Sequence, residues 1–137
     1  MRAELIVDSS VVAKFFFFEE GSERAQDLLT SGVVVAAPEL LLIEMASVAT
    51  KRVRRGLTSV ERALDAMASV GDLIDEFAPL RALGPTAFRL ANDSGCSAYD
   101  ATYLAVARDR GVPLVTADLR LIAHAAAAGM KRLVRAL

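Results

Sequence analysis

S-A-Y-D-A-T-Y-L-A-V-A-R-D-R-G-V-P-L-V-T-A-D, residues 97 to 118, places a helix start, a helix stop and a buried strand between two acids. Ser97 followed three residues later by Asp100 has the form of a helix-opening box, in which a hydroxyl and a carboxylate each satisfy a free backbone N–H. Tyr103, Leu104, Ala107 and Arg108 continue at helical spacing, Gly111 supplies a C-terminal stop, and Pro113 bars continuation. Leu114 to Thr116 then reads as a short buried strand, with Asp118 just past its carboxyl end. On these residues alone Asp100 is a cap or a ligand, and Asp118 is a turn residue or a ligand.

The same grammar extends toward the N-terminus. Leu5 to Val7 is an apolar run ending at Asp8, and Ser9 and Ser10 are candidate caps for a helix carrying Val11, Val12, Lys14 and Phe15. Gly21-Ser22 restarts a helix through Ala25, Leu28 and Leu29 that stops at Gly32. Val33 to Ala37 is an uncharged, valine-rich run, as expected of a strand covered on both faces. Pro38 is expected to open the next helix. That helix runs from Glu39 to a basic end at Lys51, Arg52, Arg54 and Arg55, and its first half is apolar nearly all round, so it is expected to be buried. Thr58 with Glu61 opens an amphipathic helix through Leu64, Met67 and Val70. Leu73 to Phe77 reads as a strand interrupted by Asp75 and Glu76. Gly84-Pro85 begins a helix ending near Gly95, Leu119 to Ala128 forms another before Gly129, and Lys131 to Val134 reads as an edge strand. Alternating strands and helices, with no linker or repeat between them, predict one α/β domain over residues 1–137 with a mostly parallel central sheet and helices on both faces.

With 137 residues the chain has the usual size of one domain. A hydrophobic fraction of 54% exceeds the common range and suggests apolar surface kept for another subunit. The net charge of −1 attracts no polyanion globally, so nucleic acid would have to be held by a local patch or a cation. A single cysteine, Cys96, excludes an internal disulfide and a cysteine-based zinc site. Leu5 to Val7 is too short for a secretory core and no run is long enough to cross a bilayer, so the expectation is a cytoplasmic protein without membrane contact.

Glu44 is the most informative single acid. Its neighbours one helical turn away are Leu40, Leu41, Ser47 and Val48, so the stripe faces a core, and a carboxylate there requires an arginine, strong donors or a cation. Asp8, Asp100 and Asp118 each have a capping explanation when taken singly. All four meeting at the mouth of one sheet would demand a positive partner, because adjacent carboxylates repel. With no histidine cluster, and the lone His124 in an alanine-rich helix, an oxygen-only set suits Mg²⁺ or Mn²⁺. The reaction class this implies is metal-assisted phosphodiester hydrolysis. No nucleophile elbow, phosphate-cradling glycine loop or dinucleotide fingerprint is present.

L-I-V-D-S-S-V-V-A-K-F-F, L-L-L-I-E-M-A-S-V, S-A-Y-D-A-T-Y-L-A and P-L-V-T-A-D, in this order and spacing, resemble a PIN-domain ribonuclease of the VapC toxin type. The resemblance implies a three-layer α/β/α sandwich, a Mg²⁺- or Mn²⁺-dependent endoribonuclease, a homodimer and a cognate VapB-like antitoxin. It assigns the acidic cluster to Asp8, Glu44, Asp100 and Asp118, with Asp8 and Asp100 as principal metal ligands and Glu44 and Asp118 completing the site directly or through water. Ser10 or Thr116 would orient a water or a phosphate oxygen. Phe15 stands where the family often has Trp, Ser47 where it often has Asn, and the turn Phe17-Phe18-Glu19-Glu20 lacks a proline common there.

RNA contacts are expected from the basic cluster, Arg52, Arg54 and Arg55, and from Lys14; a solvated helix end accounts for the cluster equally well. Phe15 to Phe18 cannot all face one core, since successive helical residues point about 100° apart. This segment and the Thr58 to Val70 helix are therefore expected at a dimer or antitoxin interface. The competing reading is a non-catalytic α/β module that binds RNA or protein or relays a signal, such as a phosphoacceptor receiver. Glu44 has no role in that scheme.

Overall fold

Five short strands form the sheet: β1 (Glu4–Val7), β2 (Val34–Pro38), β3 (Glu76–Ala78), β4 (Leu114–Thr116) and β5 (Val134–Ala136). The computed structural model describes residues 2–137; Met1 of the expected span lies outside them. Every strand pairing is parallel, in the order β3-β2-β1-β4-β5. The sheet is thus wholly parallel where the sequence predicted mostly parallel.

Parallel neighbours need crossover helices, and right-handed crossovers send helices to opposite faces when the direction of strand addition reverses. Helices α1 (Ser9–Phe16), α2 (Ser22–Leu29), α3 (Leu40–Arg54) and α4 (Val60–Leu73) accompany the walk from β1 to β3 and pack on one face. The chain then returns past β1 through α5 (Gly84–Ser94) and α6 (Ala98–Arg110), and α7 (Leu119–Ala127) leads to β5; these helices cover the other face. The outcome is the expected α/β/α sandwich. Its reversal point lies between β1 and β4, where the crevice beyond the strand ends is the natural ligand position of such sheets.

The two cores explain the unalternating strands. Leu5 and Val7 join the core under α1 to α4, whereas Ile6 points to the core under α5 to α7, and all three are buried. Helix α6 is buried from Ala101 through Ala107, packed on α5 and across β1, β2 and β4. Its Ser97 hydroxyl accepts the Asp100 N–H at 3.0 Å, and Gly111 ends it at φ 66°, as the sequence predicted.

Several expectations shift. Pro38 closes β2 instead of opening a helix: the ladder to β3 takes its donor from Glu39, whose N–H reaches the Ala78 carbonyl at 3.0 Å, so the missing N–H of Pro38 costs nothing. The first half of α3 is not buried all round, for Leu41 and Met45 face the core while Ile43 is 67% exposed. Asp8, not Ser9 or Ser10, caps α1, and Ser59, not Thr58, caps α4 by accepting the Arg62 N–H at 3.2 Å. The acids that seemed to interrupt β3 anchor it. Asp75 accepts the Val35 N–H at 2.8 Å, and Arg110 spans Glu4 and Glu76 at 2.9 Å each. Lys131–Leu133 is a 3-10 turn, and the edge strand follows it. Phe17 is buried beneath Arg52 and Phe18 is 95% exposed. Among the described residues no helix is long and apolar enough to cross a membrane.

The one-sided burial of α3 yields a direct contrast. Met45→Ala is expected to cost about 2–5 kcal/mol of stability through lost contacts and a cavity. Ile43→Ser, two residues away on the open face, is expected to stay within about 0.5 kcal/mol. Urea unfolding of both variants checks this.

Candidate active site

Asp8 follows the last residue of β1 at the reversal point and is only 6% exposed. A carboxylate so placed must have donors, and it has four. Its Oδ1 accepts the Ser10 N–H at 3.1 Å, the Ser10 hydroxyl at 2.5 Å and the Val11 N–H at 3.3 Å; its Oδ2 accepts the Thr116 hydroxyl at 2.5 Å. The two hydroxyls also accept from the loop after β4. Ser10 Oγ takes the Ala117 N–H at 2.9 Å and Thr116 Oγ1 takes the Asp118 N–H at 3.0 Å. Each hydroxyl has one proton and spends it on Asp8. Ser10 and Thr116, expected to orient water or phosphate, therefore hold Asp8 and tie β1 to the β4–α7 junction.

Asp118 caps α7, accepting the Arg120 N–H at 2.9 Å, and this cap brings it to the same strand ends. Asp100 arrives from the first turn of α6 and is half-buried. Glu44, half-buried on α3, accepts the Tyr103 hydroxyl at 2.5 Å through Oε1. Tyr103 was legible in the sequence only as a core residue. The missed signal was the need of a buried phenol for a partner. Ser47, beside Glu44 in sequence, is exposed and takes no such role.

The acids sense one another. Burial is the first cause that raises the Asp8, Glu44 and Asp100 carboxyls above their ordinary values. The charge of Asp100 adds to the rise at Asp8 and Glu44, and the charge of Asp118 adds to it at Asp100; the donors around Asp8, Tyr103 on Glu44, and His124 and Arg120 near Asp100 work the other way. Tyr103 is raised by burial and by Glu44, so it stays a neutral donor. All the ligating atoms on offer are hard oxygens. Oδ2 of Asp8 has a single donor, which leaves it a free lone pair. The chemistry of the set fits a hard divalent cation, for which Asp8 and Asp100 are the candidate principal ligands and Glu44 and Asp118 are candidates directly or through water. Among the described residues, no three acidic, histidine or cysteine side chains already surround a single point.

The basic residues separate. Lys14 and Arg52 line a cleft of about 480 Å³ together with Ser9, Ser10, Glu19 and Asp118. Arg54 instead lines an apolar groove between α3 and α4, and Arg55 is exposed at the end of α3. Glu19, which the sequence reading treated only as part of a turn, bridges Lys14 and Arg52.

A raised carboxyl binds its proton more tightly folded than unfolded, so its contribution to stability is complete below the unfolded value and is lost as pH rises through the folded one. The metal-free protein is expected to melt at progressively lower temperature as pH rises from the ordinary aspartate value of 3.8 toward neutrality. Asp100→Asn should flatten that decline and raise the melting temperature at pH 7. Added Mg²⁺ or Mn²⁺ should stabilise the parent protein at pH 7 and affect the variant much less. Thermal scans across pH, with and without metal, measure each effect.

Comparison with known proteins places the fold in a family. The PIN domain family matches residues 5–128. Ribonuclease VapC3 of Pyrobaculum aerophilum is 31% identical over 123 residues, covering 86% of this chain and 92% of that protein. The crystal structure of PAE2754, also from Pyrobaculum aerophilum, superposes with a TM-score of 0.73 at 23% identity over 90% of this chain and 87% of that one, a likeness of fold. The match runs from β1 into the turn after α7 and includes all four acids, and the chain belongs to the PIN-domain family.

Proposed function

We propose that this protein is a divalent-metal-dependent endoribonuclease that hydrolyses RNA phosphodiester bonds and serves as the toxin of a VapBC-type pair. The carrying observation is the gathering of Asp8, Glu44, Asp100 and Asp118, from four different elements, toward the reversal point of the sheet, where burial and neighbouring acid charges raise the Asp8, Glu44 and Asp100 carboxyls. The relationship to Ribonuclease VapC3 supports the choice of RNA as substrate and of a VapB-like antitoxin as partner.

Bound Mg²⁺ or Mn²⁺ would supply charge neutralisation at the attacked phosphate and a more acidic water. The protein's part is placement. Asp8 is immobilised by its four donors and offers Oδ2, Asp100 on α6 lies near enough for its charge to act on Asp8, and Glu44, held on one side by Tyr103, keeps its other oxygen free and would accept a proton from the attacking water. Asp118 completes the anionic wall. Lys14 and Arg52 in the adjoining cleft are the cations placed to meet phosphate, whereas Arg54 and Arg55 are turned elsewhere. Total cellular RNA is expected to be cut only with Mg²⁺ or Mn²⁺, and Asp8→Asn or Asp100→Asn to lower the rate at least about a hundredfold. Cutting in excess chelator, or full activity in both variants, would count against the mechanism.

The partner surfaces of this reading are the exposed Phe18 and the outer face of α4, where Val60, Leu64 and Met67 border the apolar groove with Ala46, Ala49 and Val53. A homodimer contact and an antitoxin helix would each cover such apolar area. Phe18→Ser with Leu64→Ser is expected to leave the fold intact and to weaken dimerisation or antitoxin capture. Sedimentation and co-purification with the antitoxin read the two effects separately.

A further inference from the structure

Glu19 stands in the RNA cleft with the wrong charge for the task. From the turn between α1 and α2, its Oε1 accepts from Lys14 Nζ at 3.3 Å and its Oε2 accepts from Arg52 Nη2. These are the two cations that line the cleft with Ser9, Ser10 and Asp118. Both are mostly withdrawn from solvent, with side chains 20% and 17% exposed, so their charge is directed at Glu19 and at the cleft.

The turn is built to keep this carboxylate in place. The Glu19 N–H donates to Ser22 Oγ at 3.0 Å, the Glu19 carbonyl accepts the Ser22 N–H at 3.1 Å, and the Ser22 hydroxyl donates onward to the Phe17 carbonyl at 3.2 Å. Gly21 adopts φ +90°, and a Cβ there would lie 3.1 Å from Lys14 Cδ, so glycine lets the turn close on the lysine stem. Lys14 Nζ also donates to the Glu20 carbonyl at 2.7 Å, and the Arg52 guanidinium lies 5.0 Å over the Phe17 ring. Stem, ring and carboxylate together hold both cations in one orientation.

A phosphate oxygen seeks the same ammonium and guanidinium donors as a carboxylate oxygen and carries the same sign of charge. Two anions cannot share these cations without repulsion, so RNA entry is an exchange and not an addition. We propose that Glu19 is an internal stand-in for an RNA phosphate, keeping Lys14 and Arg52 aimed into the cleft in the free protein and lowering RNA affinity by competing for them. Only a strand that also engages the acidic site gains enough to displace it, which gives a chain of net charge −1 selectivity among polyanions. The inference rests on the ribonuclease reading and names a regulator of its substrate binding.

The test is the affinity of the full-length protein for a short single-stranded RNA, by fluorescence anisotropy in chelator over a series of salt concentrations. Near about 0.1 M salt, Glu19→Gln is expected to bind roughly three- to tenfold more tightly, with a log–log salt slope steeper by about 0.7 for one added phosphate contact. Glu19→Asp, whose shorter stem reaches one cation at a time, should fall between the two. Arg52→Gln should weaken binding and remove most of the gain in the double variant. Affinity in a folded Glu19→Gln equal to or below the parent overturns the inference and leaves the ribonuclease reading standing. If Glu19→Gln melts early, an Asp variant no tighter than the parent does the same. Unchanged binding in Lys14→Gln/Arg52→Gln overturns the inference together with the assignment of these two cations to RNA.

Discussion

The Asp8 carboxylate, buried at the end of the central strand and held by Ser10, Val11 and Thr116, is the constraint on which the rest of the site depends. Burying a charge without donors is prohibitive, and these donors come from β4 as well as from the start of α1. The same carboxylate therefore caps a helix, joins two parallel strands at the point where the topology reverses, and keeps a lone pair free on Oδ2. The hydroxyls of Ser10 and Thr116 pass the restraint on to the backbone of Ala117 and Asp118, so the second strand-end acid is positioned by the first.

Around that point the fold supports a cluster of groups that oppose it. Burial and neighbouring acid charges raise three carboxyls, an arrangement that destabilises the ionised site until a cation joins it. The surrounding scaffold is correspondingly rigid. Helix α6, buried from Ala101 to Ala107, delivers Asp100 from its first turn and Tyr103 one turn later, and Tyr103 reaches across to steady Glu44 on α3. One helix thus presents an acid and, three residues on, the neutral donor that orients a second acid from the opposite layer.

The cations beside the acids are placed with the same economy. Lys14, Arg52 and Glu19 form a compact group in the cleft that Asp118 also lines, while Arg54 borders the groove between α3 and α4 and Arg55 is exposed at the end of α3. Local placement gathers these cations in one cleft of a nearly neutral protein, in place of a general excess of lysine and arginine.

Sequence by itself was enough for the class of fold and for singling out four acids as candidates, because both are written in local chemistry. Valine-rich runs mark buried parallel strands, Ser97, Gly95 and Gly111 mark helix ends, and a glutamate on the stripe of Leu40, Leu41 and Val48 announces a partnered charge. Tertiary structure decided what depends on contacts distant in the chain. It set the strand order that joins β1 to β4, gave Asp8 its donor from Thr116 more than a hundred residues away, paired Tyr103 with Glu44, and sorted Arg52 from Arg54. It also turned Pro38 from an expected helix opener into a strand end, and Asp75 and Glu76 from apparent interruptions into anchors, because the partners Ala78, Val35 and Arg110 lie on other elements. Periodicity reports which face of a segment is apolar. Only packing determines which element that face meets, and hence which side chains come within hydrogen-bonding reach.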